Sequence, residues 1–400
     1  MSLIRQLFRG DGAIWIIFLL LGIISLIEVY SASSTLAYSS GNAYGPIVRH
    51  AGFLLLGTIV ILVTHSFHYK YVTLIGAFLF VLSFALLVLT PVIGVRVNNA
   101  ARWISFFGIQ FQPSEFAKLA IIIFTAFVLS KTQRSDDSRR KAFWIILTVT
   151  LVFAGLIFFE NLSTAVLLCT VVFLMMFLGR VNAKNLLFLG GGVVLLVAIL
   201  FLSLKTIDTI PGLPRWDTWQ NRIFGPELKV TDEAFSITDA NYQSSHASMA
   251  IAEGLFLGKI PGNSSQRDFL PQAYSDFIYA IIIEEMGWFG MILIPLLYIM
   301  LLQRALLIAR RCTKVYPMLL VMGSSLMISI QAFVNMLVAV GFFPVTGQPL
   351  PLVSRGGTST VITCFYFGII LAVSRFGVQE DEKKDALQDK ATERSIEYGI

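Results

Sequence analysis

The chain holds 400 residues, is 56% hydrophobic and only 14% charged, and has a mean hydropathy of +0.77 and a net charge of +6. A soluble domain carries roughly 25% charged residues, so this composition excludes a soluble globular enzyme and describes a polytopic membrane protein. Cys169, Cys312 and Cys364 lie far apart with no CxxC or metal spacing and read as packing thiols. The four histidines form no ligand pattern; His65 and His68 stand beside a basic turn and read as a solvated helix end. Nothing in the chain points to a nucleic acid or announces a metal site.

A membrane span needs about 20 apolar residues. In chain order the apolar runs predict spans near 13–34, 48–66, 71–93, 114–131, 142–159, 162–179, 185–204, 276–302, 316–341 and 357–375. The expected fold is therefore all-α and polytopic, with ten transmembrane helices and both termini on one side. Arg5 and Arg9 precede the first run, a pattern shared with signal peptides, but further spans follow at once and this one reads as an uncleaved anchor.

Lys and Arg set the orientation. One set of connections carries Arg5, Arg9, Lys70, Lys131, Arg134, Arg139, Arg140, Lys141, Arg180, Lys184, Arg304, Arg310, Arg311 and Lys314. The short connections of the opposite set carry Arg49, Arg96, Arg102 and Arg355. The first set, both termini and the polar tail 379–400 are expected to be cytoplasmic, with a ten-helix domain over 1–378.

Two connections stand out. The loop from Lys131 to Lys141 is basic enough to serve as an orientation signal beside anionic lipid. The segment 205–275, between the seventh and eighth spans, is a large extracytoplasmic loop. It contains Trp216, Trp219 and several prolines, so it reads as folded, with short helices. Its run from Ser248 to Leu257 is apolar but too short to span, and suits a re-entrant or interfacial helix.

Four clusters, all on the expected outer face, could carry chemistry. Asp276 is an acid at the mouth of a long apolar helix, either its N-cap, as Ser275 also could be, or a functional group, since an acid there is costly to dehydrate. Arg102-Trp103 stands near Gln112-Pro113-Ser114-Glu115-Phe116-Ala117-Lys118. Pro113 suits a first helical turn, and Glu115 and Lys118 share a helix face at i,i+3 and can pair. Glu160-Asn161-Leu162-Ser163-Thr164 forms a tight outer hairpin. Gly347 to Ser359 holds Pro349, Pro351, Ser354, Arg355, Gly356 and Gly357. There the glycine pair can turn backbone N–H groups toward a phosphate, beside a fixed cation.

These pieces, with Gly262-Asn263-Ser264, Asp276-Phe277-Ile278-Tyr279-Ala280 and Glu284-Glu285, resemble the SEDS family (shape, elongation, division and sporulation), typified by FtsW, RodA and SpoVE. The resemblance runs from about residue 10 to 377 in family order. It implies a peptidoglycan glycosyltransferase of the bacterial cytoplasmic (inner) membrane. Such an enzyme polymerises lipid II, the undecaprenyl-pyrophosphate disaccharide-pentapeptide, at the outer face. It further implies a class B penicillin-binding transpeptidase as partner, together with other divisome membrane proteins. Gly262-Asn263-Ser264 and Pro349-Leu350-Pro351 are more similar to FtsW, the septal member, than to RodA. The chain departs from the usual pattern at Tyr274-Ser275, where His-Thr is common, at Asn161 and Ser163, where Asp and Gly are frequent, and at Arg355, where Tyr is frequent.

The residues suit such chemistry. Transfer to a sugar hydroxyl needs a base near the acceptor oxygen, and Asp276 is the candidate. The leaving group is a pyrophosphate, so no second carboxylic acid is required as proton donor. Arg102 and Lys118, then Arg355, are the candidate cations for it, with Glu115, Ser354, Gly356 and Gly357 completing the expected binding set. Mg2+ or Mn2+ could share the task. Glu284, roughly 12 Å further along its helix than Asp276, reads as a structural acid paired at depth. The alternative from another class is a lipid II flippase or other lipid transporter, for which no internal repeat or matched pair of broken helices is evident. An intramembrane aspartyl protease would want two catalytic acids, and only Asp276 qualifies.

Overall fold

The computed structural model describes residues 9–376 apart from 34–40, 43, 98–99, 107–108, 134, 159, 208–219, 221–240 and 255. The expected tail 379–400 and most of the first half of the outer loop 205–275 lie outside the described residues.

Apolar runs with polar breaks give the following order: α1 (Gly12–Ala32), α2 (Gly45–Ser66), α3 (Val72–Ile93), β1 (Val95–Val97), β2 (Ala100–Phe106), β3 (Ile109–Phe111), α4 (Pro113–Lys131), α5 (Asp136–Phe158), α6 (Leu162–Leu178), α7 (Ala183–Thr206), α8 (Tyr242–Gly254), α9 (Ile278–Arg311), α10 (Val315–Ala339) and α11 (Thr358–Phe376). Among the described residues nine helices are long and apolar enough to cross a membrane. The sixth expected span, α6, is apolar but only 17 residues long, near the lower limit for crossing. The outward faces are apolar too: Leu74, Phe78, Leu187 and Phe188 are each more than 60% exposed. A solvent-facing bundle would show charge there. The chain is a multi-pass membrane protein.

Helices α4, α10 and α11 form the interior, and α7 stands at the rim. At one end of the bundle Asp11 caps α1, accepting from Ala13 N at 2.9 Å, and pairs with Arg304 of α9 at 2.5 Å. At the other end the connections gather into the candidate site.

Five local readings change. The connection 94–112 folds into a three-stranded antiparallel sheet, with Val95 opposite Trp103 and Ile104 opposite Phe111; the β1–β2 register shifts at Arg102, which stands between the pairs Val95–Trp103 and Arg96–Ala101. Helix α5 starts at Asp136, inside the expected basic loop, because Asp136 and Asp137 complement its first turn. Helix α9 continues to Arg311. Its N-cap is Phe277 without a side-chain bond, so neither Ser275 nor Asp276 caps it. His65 is fully buried, edge-on to Trp15 with centroids 5.7 Å apart, and His68 is half-buried, its ring 4.9 Å from that of Phe376, so neither is the solvated end expected of both.

Helix α9 breaks at Gly287, whose φ of 58° and ψ of −141° no side chain tolerates well. The break frees the Glu284 and Glu285 carbonyls. Lys259 N and Ile260 N, from the segment after α8, donate to them at 2.9 Å each. A helix break inside a membrane protein persists only where such partners re-satisfy the backbone. The expected short helix is therefore α8, with the segment behind it docked into this kink. Glu284 is paired as expected, but with the docked loop: Lys259 Nζ lies 2.9 Å from its Oε1, and Ser265 N donates to it at 2.8 Å.

Candidate functional site

Asp276 lies in the turn before α9 and is half-buried. Its backbone carbonyl accepts from Asn335 Nδ2 of α10 at 2.9 Å. The same amide donates to Gln348 O at 2.8 Å. One side chain thus fixes the turn carrying the acid and the loop after α10. Ser275 Oγ donates to Asp276 Oδ1 at 3.0 Å.

Across from the carboxylate stands Arg102 of β2. A methyl group built on Gly347 would lie 3.6 Å from Asp276 Oδ2 and 3.7 Å from Arg102 Nη1, so the acid and the cation flank this glycine. Arg102 Nε donates to Glu160 O at 3.0 Å, which ties β2 to the α5–α6 hairpin. Gly347 keeps the notch open and holds a φ of 66° that suits glycine.

Glu115 and Lys118 pair at 2.8 Å on α4, and both are buried. Lys118 Nζ also donates to Gln331 Oε1 at 2.8 Å, and Gln331 Nε2 donates to Pro349 O at 3.0 Å. Gln348 Nε2 reaches Thr164 Oγ1 at 2.7 Å. The ion pair lies behind the Gly347–Pro351 loop and holds it through α10. Ser354 is buried too. Its hydroxyl donates to Ser275 O at 2.5 Å and accepts from Leu350 N at 2.8 Å, so it fastens the same loop to the Asp276 turn.

Arg355, Gly356 and Gly357 border a separate pocket of about 170 Å3, with Arg49, His50, Phe53, Trp103 and Gln110. Arg355 N donates to Tyr274 O at 2.9 Å, and its guanidinium lies over the Tyr274 ring, 5.3 Å from the centroid. Burial lowers the pKa of Arg355; the Tyr274 hydroxyl opposes the shift and the like charge of Arg49 adds to it. Burial raises the Tyr274 hydroxyl, with Arg355 opposing and Asp276 adding.

The structure thus brings Asp276 and Arg102 together, sets Glu115, Lys118 and Ser354 behind them, and gathers Arg355, Gly356 and Gly357 at a neighbouring pocket. Sequence reading missed Asn335, Gln331 and His50. Gln331 and Asn335, four apart on one face of an apolar helix, carried a usable signal. Among the described residues no group of three or more His, Cys, Asp or Glu side chains is disposed to hold a metal ion.

The fold and this site define a polytopic membrane protein with a charged, partly enclosed site at one end of its helices, where an acid faces an arginine. The FtsW/RodA/SpoVE cell cycle protein family matches residues 11–379, and the chain belongs to that family. It is 33% identical over 355 residues to the probable peptidoglycan glycosyltransferase FtsW of Trichlorobacter lovleyi, covering 87% of this chain and 89% of the relative. With the protein of the same description from Enterococcus hirae it shares 30% over 383 residues, covering 92% and 94%. Its fold is similar to a chain from a solved peptidoglycan synthase complex described as coordinating polymerization and crosslinking, with a TM-score of 0.73 at 22% identity over 93% of this chain and 99% of that one. It is also similar to the rod shape determining protein RodA of Thermus thermophilus, with a TM-score of 0.65 at 22% identity over 92% and 98%.

Proposed function

We propose that this protein is an inverting peptidoglycan glycosyltransferase that polymerises lipid II at the outer face of the cytoplasmic membrane during septal wall synthesis. The observation that carries the reading is the placing of Asp276 and Arg102 on either side of Gly347, in a chain whose relatives bear that activity in their names. The excess of Lys and Arg in the opposite connections supports an outward-facing site.

In this mechanism Asp276 accepts the proton of the acceptor sugar hydroxyl as its oxygen attacks the anomeric carbon of the donor sugar. The bond from that carbon to the lipid pyrophosphate breaks, and the pyrophosphate leaves with the electron pair. Arg102 stabilises its growing negative charge. Asn335, Ser354 and the Glu115–Lys118–Gln331 chain hold the two loops in register, which keeps the reacting groups aligned. A class B penicillin-binding transpeptidase is the expected partner, in keeping with the synthase complex that shares the fold.

The test is polymerisation of labelled lipid II by purified protein in detergent, with and without a candidate transpeptidase. Glycan chains are the expected product. No polymer in either case, together with lipid II translocation in liposomes, would establish the flippase instead.

A further inference from the structure

The outer end of α1 carries an acid that the proposed reaction does not use. Glu28 lies one turn before the end of this membrane-crossing helix and is 0% exposed. An ionisable group inside a span is costly and is ordinarily paired. Yet both Glu28 oxygens are buried without a hydrogen-bond partner among the described residues. The next turn of the helix shows what it faces. Ser31, three residues on, shares its side of α1, and the Ser31 hydroxyl donates to Glu285 Oε1 of α9, two residues before the break at Gly287. The charge that bears on Glu28 is likewise that of Glu285. The two acids therefore face each other between α1 and α9, and both are buried.

Counting donors separates their states. Glu285 Oε1 is supplied twice, by the Ser31 hydroxyl and by Ser264 N at 3.1 Å. Arg267 Nη1 donates to the Ser31 hydroxyl at 3.0 Å and to Ser31 O at 3.2 Å, which leaves the Ser31 hydrogen free for the carboxylate. These donors suit an ionised Glu285. Its Oε2, however, is buried and meets no donor among the described residues. An ionised Glu28 would add a second buried negative charge with nothing to offset it, and an uncompensated buried charge is strongly destabilising. The neutral acid removes the difficulty, because its one O–H is the donor that Glu285 Oε2 lacks. A metal cation in the place of that hydrogen would be repelled by Arg267, whose charge acts on Glu285.

We propose that Glu28 is held as a neutral carboxylic acid and donates its hydrogen to Glu285 Oε2, so that one proton clamps the first helix onto the kink of α9. Ser31 and Arg267 complete the clamp. Ser264 and Arg267 belong to the stretch that follows α8 and docks into the kink. The proton thus joins three stretches far apart in sequence: the end of α1, the docked stretch and the break in α9. The clamp stands whether or not the protein polymerises lipid II.

The test uses the full chain in detergent at neutral pH and reads protonation by infrared difference spectroscopy, in which the carbonyl stretch of a protonated carboxyl stands apart from the carboxylate bands. Glu28→Gln keeps an N–H donor for Glu285 and removes the acid. Its spectrum should lack one protonated-carboxyl band that wild type shows. Glu285→Gln should lose a carboxylate band and keep the protonated one. Loss of a carboxylate band in Glu28→Gln overturns the proposal, and so does loss of the protonated band in Glu285→Gln alone, which would put the proton on the other acid. Limited proteolysis of the docked stretch reads the clamp itself. Glu28→Gln should protect it as wild type does, whereas Glu28→Leu, of similar size but with no donor, should be cut several-fold faster. Equal cutting of all three proteins would show that the proton clamps nothing. A melting temperature raised by Mg2+ in wild type and not in Glu28→Gln would show a cation in the proton's place and overturn the proposal as well.

Discussion

Asn335 Nδ2 donates at 2.9 Å to the backbone carbonyl of Asp276, the residue on which the proposed chemistry depends. Because the same nitrogen serves Gln348 O, Asn335→Ala strands two carbonyls, each at about 1–3 kcal/mol. Thermal melting should show that loss. Lipid II polymerisation should fall with it, since small displacements of reacting groups are expensive in rate. Asn335→Asp, which turns a lone pair toward both carbonyls, should be the worse of the two. Full activity in Asn335→Asp would show that this contact positions nothing.

The Glu115–Lys118 pair and the Asp136–Arg139 pair share i,i+3 spacing and differ in burial. Removing one partner of a buried pair costs about 3–5 kcal/mol, whereas an exposed pair contributes about 0–1 kcal/mol. Glu115→Gln should therefore lower the melting temperature markedly and Asp136→Asn hardly at all. Reversing both charges of the buried pair should recover part of the loss, read in a double-mutant cycle. Equal effects at the two sites would refute the burial argument.

Glu253 fastens α8 to the docked segment. Its pKa falls from 4.5 to about 2, chiefly through the hydrogen bond from Lys259 and then that from Ser265. A depressed carboxylate contributes stability that is present above its unfolded pKa and lost as pH falls through the folded value. The segment 256–266 should therefore loosen as pH drops from about 4.5 to 2, and limited pepsin digestion across that range would report it. Glu253→Gln should be cut more readily than wild type at the upper end of the range and lose most of the pH dependence. An identical pH profile in both proteins would exclude Glu253 as the cause.

Much of this could be read from the chain. Spans followed from apolar run length, and the Glu115–Lys118 pair from helical spacing. Features fixed by contacts distant in sequence could not be read. Nothing around Gly287 shows that α9 breaks there, because its freed carbonyls are met by Lys259 and Ile260. His65 looked solvated from its neighbours, yet Trp15, fifty residues earlier, covers it. Arg102 and Trp103 appeared as one motif, yet Arg102 borders Gly347 and Trp103 lines the pocket beside Arg355.

The kink makes its own prediction. A methyl group on Gly287 would approach Gly258 N to 2.7 Å and Phe256 O to 2.8 Å, in a conformation that already disfavours side chains. Gly287→Ala should destabilise by more than the about 1–3 kcal/mol of backbone strain alone. Gly155→Ala, in the last turn of α5 with nothing within 4 Å of the new methyl group, should be neutral or stabilising by up to about 1 kcal/mol. Melting curves of the two variants decide it; a Gly287→Ala protein as stable as wild type would mean that the kink is not needed.

The role of Asp276 is tested most directly by the rate of glycan chain formation from labelled lipid II, with the partner transpeptidase present, for wild type and Asp276→Asn. Loss of a general base typically costs about 10²–10⁴-fold in rate. Asp276 is half-buried and its backbone carbonyl, not its carboxylate, holds Asn335, so the variant should melt close to wild type. The predicted result is a well-folded Asp276→Asn protein with polymerisation reduced at least about 10²-fold. Polymerisation near the wild-type rate by such a protein would contradict the account.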